Sequence, residues 1–140
     1  MKSFPKILLL IMAFSFGNCN NSNGQKQPAQ ATAQQTPQTL LAPEAFEAIS
    51  LQKDVQLVDV RTPEEYQMGH IGNASNINFK ATDFKEKMSK LDKTKPVAVY
   101  CGVGGRSGKT VPILTELGFK IVYDLQGGIT AWKTQGKKVN

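Results

Sequence analysis

The chain has 140 residues and a net charge of +6, from 17 Lys and Arg against 11 Asp and Glu, which suggests a single domain. Without Lys2 and Lys6, which fall in a leader-like start, 15 basic residues remain and the net charge is +4. The lysines are scattered, as between Lys85 and Lys95, in a pattern typical of a solvated helix face, so the sequence does not favour a nucleic-acid partner.

The first 18 residues have the pattern of a secretory signal peptide. Two lysines precede an apolar run that is shorter than the roughly 20 residues of a membrane-spanning helix. Phe16-Gly17-Asn18-Cys19 then resembles a bacterial lipoprotein cleavage site, which would make Cys19 a lipidated N-terminus. Phe16 and Asn18 depart from the commonest form of that site, and a soluble periplasmic product is the alternative. We expect export to the periplasmic side of a bacterial membrane, with a lipid anchor.

Residues 20–39 form a polar segment rich in Asn, Gln, Ser, Thr, Ala and Pro, with Lys26 as its only charge. Such a segment buries too little apolar surface to fold, so it is predicted to be a flexible tether with an end-to-end distance on the order of 25 Å. The predicted organisation is therefore a signal peptide (1–18), a lipidated N-terminus and linker (19–39) and a folded domain (40–140).

Strand-like and helix-like segments alternate through the folded region. Runs of β-branched and apolar residues predict strands, and apolar residues at helical spacing predict helices. This alternation predicts an α/β fold, a doubly wound and mostly parallel sheet with helices on both faces, whose ligands bind beyond the carboxyl ends of the strands. The predicted helices are 39–50, a single turn from 62, 83–91, a helix ending at Leu117 and one starting at Gly127, and the extended segments are 55–60, 74–79, 96–100 and 120–125.

Several single residues carry local predictions. Thr62, Pro63 and Glu65 form a capping box at the start of a short helix. His70 is the only histidine, and a hydrogen-bonded structural role is favoured over that of a catalytic base. Pro112, inside the helix that follows residue 101, is expected to kink the helix or remove a backbone hydrogen bond.

A glycine-rich loop after the strand 96–100 carries the candidate chemistry. Cys101 is followed by three glycines and Arg106, an arrangement that lets backbone N–H groups converge on an anion at a helix N-terminus. Such a field can bring a cysteine from a pKa of about 8.5 to roughly 3.5–7.5. Arg106 and the amides would also hold an anionic substrate or the terminal sulfur of a persulfide. The alternative is a tight glycine turn beside a surface arginine.

The two cysteines limit other kinds of site. If Cys19 is lipidated, Cys101 has no intramolecular partner, which leaves a free thiol or an ordinary buried cysteine. A dithiol oxidoreductase lacks its second cysteine, and a zinc site would have only His70 and Cys101 as good nitrogen and sulfur ligands. We therefore expect no metal and no cofactor.

Three motifs in order along residues 41–137 closely resemble a single-domain rhodanese. They are DVRTPEEY at 59–66 with Gly69-His70-Ile71, then YCGVGGRS at 100–107 and LQGGITAW at 125–132. The resemblance implies a sulfurtransferase in which Cys101 takes a sulfane sulfur from a donor such as thiosulfate. The resulting persulfide passes its sulfur to cyanide or a thiol, a two-step reaction with ping-pong kinetics. A small anionic donor, a thiol or cyanide acceptor and a candidate protein acceptor are the implied partners, besides the membrane.

The resemblance also assigns roles to individual positions. Cys101 is the nucleophile, and Asp59 and Arg61 brace its loop from the neighbouring strand, with Ser107 as a further supporting residue. The anion would be bound by the side chain of Arg106 and by the backbone of Gly102, Val103, Gly104, Gly105 and Arg106.

Two rival functions remain open. Cysteine-dependent phosphatases and arsenate reductases also place a cysteine and an arginine around an anion, but five residues separate the two in those enzymes, whereas four separate Cys101 from Arg106. The loop also contains no Asp or Glu to act as a general acid. The other rival is a non-catalytic module of the same fold that binds a protein or senses sulfide, which would not need an intact cysteine.

Overall fold

The computed structural model describes residues 38–140. The predicted signal peptide, the lipidation site at Cys19 and all but the end of the predicted linker lie outside the described residues. No helix in the described part of the chain combines the length and the apolar character needed to cross a membrane.

A five-stranded parallel sheet forms the centre of the domain, in the strand order β1-β5-β4-β2-β3. The glycine-rich loop follows β4, the middle strand, which is buried along its whole length because helices cover both faces. The strands are β1 Gln38–Leu41, β2 Gln56–Asp59, β3 Ser75–Asn76, β4 Val97–Tyr100 and β5 Val122–Leu125.

Successive side chains of β4 point into two separate cores, as expected for a strand. Val97 and Val99 belong to the core that includes Met88 and Leu114, whereas Ala98 and Tyr100 belong to the core on the opposite face. Helices α3 and α4 therefore cover one face, and α1 and α5 cover the other with Phe46 and Trp132. The helices are α1 Pro43–Ser50, α2 Pro63–Gln67, α3 Phe84–Ser89, α4 Gly105–Glu116 and α5 Gly128–Thr134. The predicted doubly wound α/β fold is confirmed.

The start of the domain differs from the prediction of a helix over 39–50. Gln38–Leu41 is a strand that pairs in parallel with β5, and the helix starts only at Pro43. Ala42 is extended (φ −61°, ψ 155°) because the ring of a following proline disfavours a helical conformation in the residue before it. The last two residues of the predicted linker, 38 and 39, therefore belong to a strand of the sheet, and the predicted division into signal peptide, linker and domain stays a prediction.

Pro112 does not end the helix that contains it, since α4 runs from Gly105 to Glu116. Proline has no N–H to donate to the carbonyl four residues earlier, which is that of Gly108. Both residues are exposed. Water can therefore hydrate the carbonyl, and the predicted loss of one hydrogen bond costs little at this position.

Candidate active site

The candidate nucleophile lies at the carboxyl end of the middle strand. β4 ends at Tyr100, Cys101 follows, and α4 begins four residues later at Gly105. Gly104 has φ +100°, a conformation that residues with a Cβ rarely adopt, and it is the N-cap of α4. This turn aims the N–H of Gly104 at the Cys101 Sγ, 3.1 Å away. The predicted strand-to-helix loop is therefore present.

Hydrogen bonds around the sulfur favour its thiolate form. Burial raises the pKa of Cys101, which is only 1% exposed, but donors outweigh this effect and the net shift is downward. These donors are the amide and hydroxyl of Ser107 and the amides of Arg106 and Gly104, with the hydroxyl oxygen 3.6 Å from Sγ. A recessed sulfur ringed by donors can hold negative charge on itself or on an atom bonded to it.

The donors around the sulfur are a different set from the predicted anion-binding group. The sequence predicts that the amides of residues 102–106 bind an anionic substrate, and this stays a prediction. The donors that lower the pKa of the sulfur itself include the amides of Gly104, Arg106 and Ser107. Ser107, predicted only as a supporting residue, contributes two donors to the sulfur. Val103 is 73% exposed and places an apolar side chain on the outer surface of the loop.

Arg106 is paired with a carboxylate, a contact that the sequence did not indicate. Its two terminal nitrogens each lie 2.6 Å from an oxygen of Glu65, in a two-pronged salt bridge. The Cys101 sulfur also raises the pKa of Arg106, after the larger effect of Glu65. The guanidinium thus interacts electrostatically with both the thiol and Glu65, and an anion that binds Arg106 shares it with this carboxylate.

Glu65 has a second contact that anchors it. Its side chain accepts a hydrogen bond from the N–H of Thr62, while the Thr62 hydroxyl accepts from the N–H of Glu65. The predicted capping box is confirmed, and it fixes the position of the carboxylate that holds Arg106.

Asp59 and Arg61 form a buried ion pair beside the strand that carries the nucleophile. Their closest atoms are 2.6 Å apart, and Arg61 also donates to the carbonyl of Gly69 over 2.7 Å. Asp59 lies opposite Tyr100 in the β2–β4 register, and the Arg61 guanidinium lies 5.8 Å from the centre of the Tyr100 ring. The pair therefore contacts Tyr100, the residue before Cys101, and the bracing of the loop that the resemblance implies stays a prediction.

The start of α5 contacts the loop from the other side. The N–H groups of Ile129 and Thr130 donate to the carbonyls of Cys101 and Gly102 over 2.9 and 3.0 Å. A Cβ on Gly128 would lie 2.5 Å from the Cys101 carbonyl oxygen, so the helix reaches the loop only because this residue is glycine. These contacts fix the direction in which the remaining loop N–H groups point.

The family model of the rhodanese-like domain matches residues 42–135, about two thirds of the chain. The chain belongs to the rhodanese-like family. Its matched region includes the ring of donors around Cys101, the salt bridge of Arg106 and the glycines that open α5.

Relatives of this rhodanese-like domain carry different names. A thiosulfate sulfurtransferase GlpE of Coxiella burnetii is 40% identical over 90 residues, which are 64% of this chain and 81% of that protein. A tRNA uridine(34) hydroxylase of Cytophaga hutchinsonii is 43% identical over 94 residues, which are 64% of this chain but only 30% of that protein. Membership of the family and the similarity to a thiosulfate sulfurtransferase therefore support rhodanese-type sulfur chemistry.

Solved structures agree with the fold. A rhodanese-related protein from Thermoplasma volcanium superposes with a TM-score of 0.63 at 33% identity, covering 73% of this chain and 97% of that one. A rhodanese-like domain protein from Staphylococcus aureus gives a TM-score of 0.62 at 30% identity, covering 73% and 98%. The parallel sheet with helices on both faces is thus the fold of this family.

His70 lies in a structural setting within the rhodanese-like domain. Its ring stacks on Tyr66 with ring centres 4.0 Å apart, and its Nδ1 lies 3.4 Å from the Tyr66 carbonyl oxygen. Its backbone exchanges two hydrogen bonds with Asn140. These contacts agree with the structural interpretation of the only histidine. Among the described residues, no group of three or more His, Cys, Asp or Glu is arranged to hold a metal ion.

Removal of the Glu65 charge is expected to change how stability depends on pH. The salt bridge with Arg106 lowers the pKa of Glu65 from 4.5 to about 2. Because this folded-state pKa lies below the unfolded one, the pair stabilises the fold above about pH 4.5, and this contribution is lost as pH falls towards 2. We expect Glu65→Gln to lower the free energy of unfolding at pH 7 by about 1 kcal/mol.

Urea denaturation between pH 2 and 7 would measure this effect. The difference between wild type and Glu65→Gln should shrink as pH falls below 4.5 and vanish near 2. Glu44→Gln, at an exposed position at the start of α1, is the control and should stay within roughly 0.5 kcal/mol of wild type throughout. A difference for Glu65→Gln that does not depend on pH would show that its ionised pair with Arg106 is not the source.

Proposed function

We propose that this rhodanese-like domain is a sulfurtransferase that carries a sulfane sulfur as a persulfide on Cys101. In the first step the thiolate attacks the outer sulfur of a donor such as thiosulfate. The new S–S bond forms as the donor's own S–S bond breaks, and sulfite leaves with the electron pair. In the second step cyanide or a thiolate attacks the outer sulfur, and the Cys101 thiolate is released.

The observation that carries this proposal is the ring of donors around a sulfur whose pKa they lower. A persulfide extends the side chain by one S–S bond, about 2 Å. Because Cys101 is 1% exposed, the added sulfur brings the reactive atom outward from the recessed thiol towards an acceptor. The amides of Gly104, Arg106 and Ser107 can stabilise the negative charge of the thiolate and of the persulfide alike.

Phosphate-ester hydrolysis fits the same geometry poorly. A phosphatase needs a protonated acid next to the leaving group. Glu65, the carboxyl group that contacts Arg106, has its pKa lowered to about 2 by that arginine and is ionised at neutral pH. The loop also has four residues between Cys101 and Arg106, which argues for a narrower anion site than that of the phosphatases.

A panel of donors and acceptors, tested on wild type and on Cys101→Ser, would check the proposed activity. With thiosulfate as donor, we expect the wild type to form thiocyanate from cyanide, or the persulfide of a thiol acceptor. Double-reciprocal plots of the rate should be parallel, as in a ping-pong mechanism. Cys101→Ser should reduce the rate to background, because a serine hydroxyl cannot form the persulfide. Equal rates in the two proteins would contradict the proposal. Cys101-dependent hydrolysis of an aryl phosphate without thiosulfate activity would favour the phosphatase instead.

We also propose that the domain works outside the cytoplasm on a lipid anchor at Cys19. The basic start, the short apolar run and the cysteine directly after it support this location. In a bacterial host, metabolic labelling with palmitate should mark the wild type and not Cys19→Ala, whereas Cys101→Ser should be labelled like the wild type. An unlabelled wild-type protein released in soluble form would contradict the anchor.

A further inference from the structure

A cavity of about 750 Å³ opens on the face of the sheet that α1 and α5 cover. Its walls are the end of α1 with the turn that follows, the segment 71–73, and the segment after α5. None of residues 101–107 lines it, so it is separate from the site around Cys101. Its volume lies within the range of roughly 300–1,000 Å³ that is typical of small-molecule sites.

Apolar side chains form the floor of this cavity. Leu57, Ile71 and Trp132 line it and are buried in the core between the sheet and the two helices. Leu51, just after α1, also lines it but is 78% exposed. A molecule bound in the cavity would therefore cover apolar surface of Leu51 that now faces water, which favours a ligand with an apolar body.

Hydrogen bonds fix the wall that the end of the chain forms. The indole N–H of Trp132 donates to the carbonyl of Lys138 over 2.9 Å. The side-chain amide of Asn140 donates to the carbonyl of Gly72 over 2.8 Å, and its backbone exchanges two hydrogen bonds with His70. The walls are thus tied to one another, and a ligand does not have to order them when it binds.

Positive charge exceeds negative charge around the cavity. Among the described residues, three lysines and one glutamate line it. Lys137 is paired with Glu47, at 2.5 Å between Nζ and Oε2, and its ammonium lies 5.4 Å from the centre of the Trp132 ring. Lys53 and Lys138 have no carboxylate partner in the part of the chain that the structure describes. Their two charges are available to an anion.

We propose that this cavity binds a small amphipathic anion. Its apolar chain or ring would lie against Leu57, Ile71 and Trp132, and its single acidic group would lie beside Lys53 and Lys138. An uncharged molecule of the same shape gains only the apolar burial, and a cationic one is repelled by the two lysines. This binding site is additional to sulfur transfer and does not depend on it.

The intrinsic fluorescence of the full chain, without detergent, tests the proposal. Trp132 is the only tryptophan, so the signal comes from a residue that lines the cavity. We expect octanoate, below the concentration at which it forms micelles, to change this fluorescence saturably. Decanoate should bind about tenfold more tightly, because two further CH₂ groups are buried. 1-Octanol should bind about fivefold more weakly than octanoate, and octylammonium more weakly still.

Substitutions at exposed lysines separate the charge effect from apolar binding. The double variant Lys53→Gln/Lys138→Gln should weaken octanoate binding about fivefold and leave the binding of 1-octanol unchanged. Lys133→Gln is the matched control, since Lys133 is exposed on α5 and does not line the cavity, and it should bind octanoate like the wild type. Cys101→Ser should also bind octanoate normally, so failure of the proposed sulfur transfer would leave this result readable.

Three results would overturn the inference. The absence of a saturable change with octanoate and decanoate would show that the cavity does not take such anions. Equal affinities for octanoate, 1-octanol and octylammonium would show apolar binding without selection by charge. An unchanged octanoate affinity in the double variant, or an equal loss in Lys133→Gln, would show that Lys53 and Lys138 do not form an anion site.

Discussion

Replacing Gly128 with alanine is expected to lower the rate of sulfur transfer by about 100-fold, although this residue contacts no substrate. The new Cβ would lie 2.5 and 2.6 Å from the carbonyl oxygens of Cys101 and Gly102, closer than such atoms can approach. The start of α5 must move away, and its hydrogen bonds to these two carbonyls are lost. The loop amides then no longer converge on the sulfur, and a displacement on the order of 1 Å is enough for this loss of rate.

Gly136→Ala is the matched control for this variant. Gly128 and Gly136 both have left-handed backbone angles, with φ of +59° and +71°, so an alanine at either position is strained by roughly 1 kcal/mol. A Cβ on Gly136, however, meets nothing within 4 Å. We expect Gly136→Ala to lose some stability and to retain its activity. Similar rates for the two variants would mean that backbone strain, and not contact with the loop, explains any effect at Gly128.

Asp59→Asn is expected to produce the largest loss of stability, about 3–5 kcal/mol, because it leaves the buried positive charge of Arg61 without a negatively charged partner. Asp59 is fully buried and the side chain of Arg61 is 5% exposed, so water cannot replace the lost carboxylate. Thermal and urea denaturation would measure the change. A loss of this size is a large fraction of the stability of a domain of about 100 residues, and part of the protein could unfold at physiological temperature.

An exposed ion pair provides the comparison for Asp59. Lys85 and Glu116 are 3.3 Å apart, and their side chains are 63% and 67% exposed. Glu116→Gln should therefore change the free energy of unfolding by less than about 1 kcal/mol. If Asp59→Asn cost no more than this surface substitution, the buried pair would not be what supports β2 beside the active-site loop.

The local patterns in the sequence were sufficient to predict the main elements of the fold. Alternation of apolar strands with amphipathic helices predicted the parallel sheet and its two helical faces, and the Thr62 capping box was visible as a four-residue pattern. β1 was missed because its four residues have no strand pattern of their own. They are extended because β5 offers an open edge and because Pro43 prevents the helix from starting earlier.

The parts of the site that sequence reasoning missed depend on contacts between distant segments. Arg106 lies 41 residues from Glu65, and nothing in either motif indicates that they pair. The sequence places Gly128 in the first turn of a predicted helix, and the pair of consecutive glycines there is a pattern that indicates a close approach of another backbone segment.

Together, three segments surround the loop that carries the thiol. β2 places the Asp59–Arg61 pair beside Tyr100, and the start of α5 binds the carbonyls of Cys101 and Gly102. The first turn of α4 then supplies the amides that face the sulfur. The carbonyls are thereby turned away from the sulfur and the N–H groups towards it, which is the orientation that an anionic sulfur requires.

The mass of the protein after incubation with thiosulfate tests the central claim most directly. We predict that the wild type gains one sulfur atom, that peptide mapping places it on Cys101, and that cyanide removes it with formation of thiocyanate. Cys101→Ser should keep its original mass under the same conditions. A wild-type protein that remains unmodified, or one that gains sulfur equally in the Cys101→Ser variant, would contradict the assignment of Cys101 as a persulfide carrier.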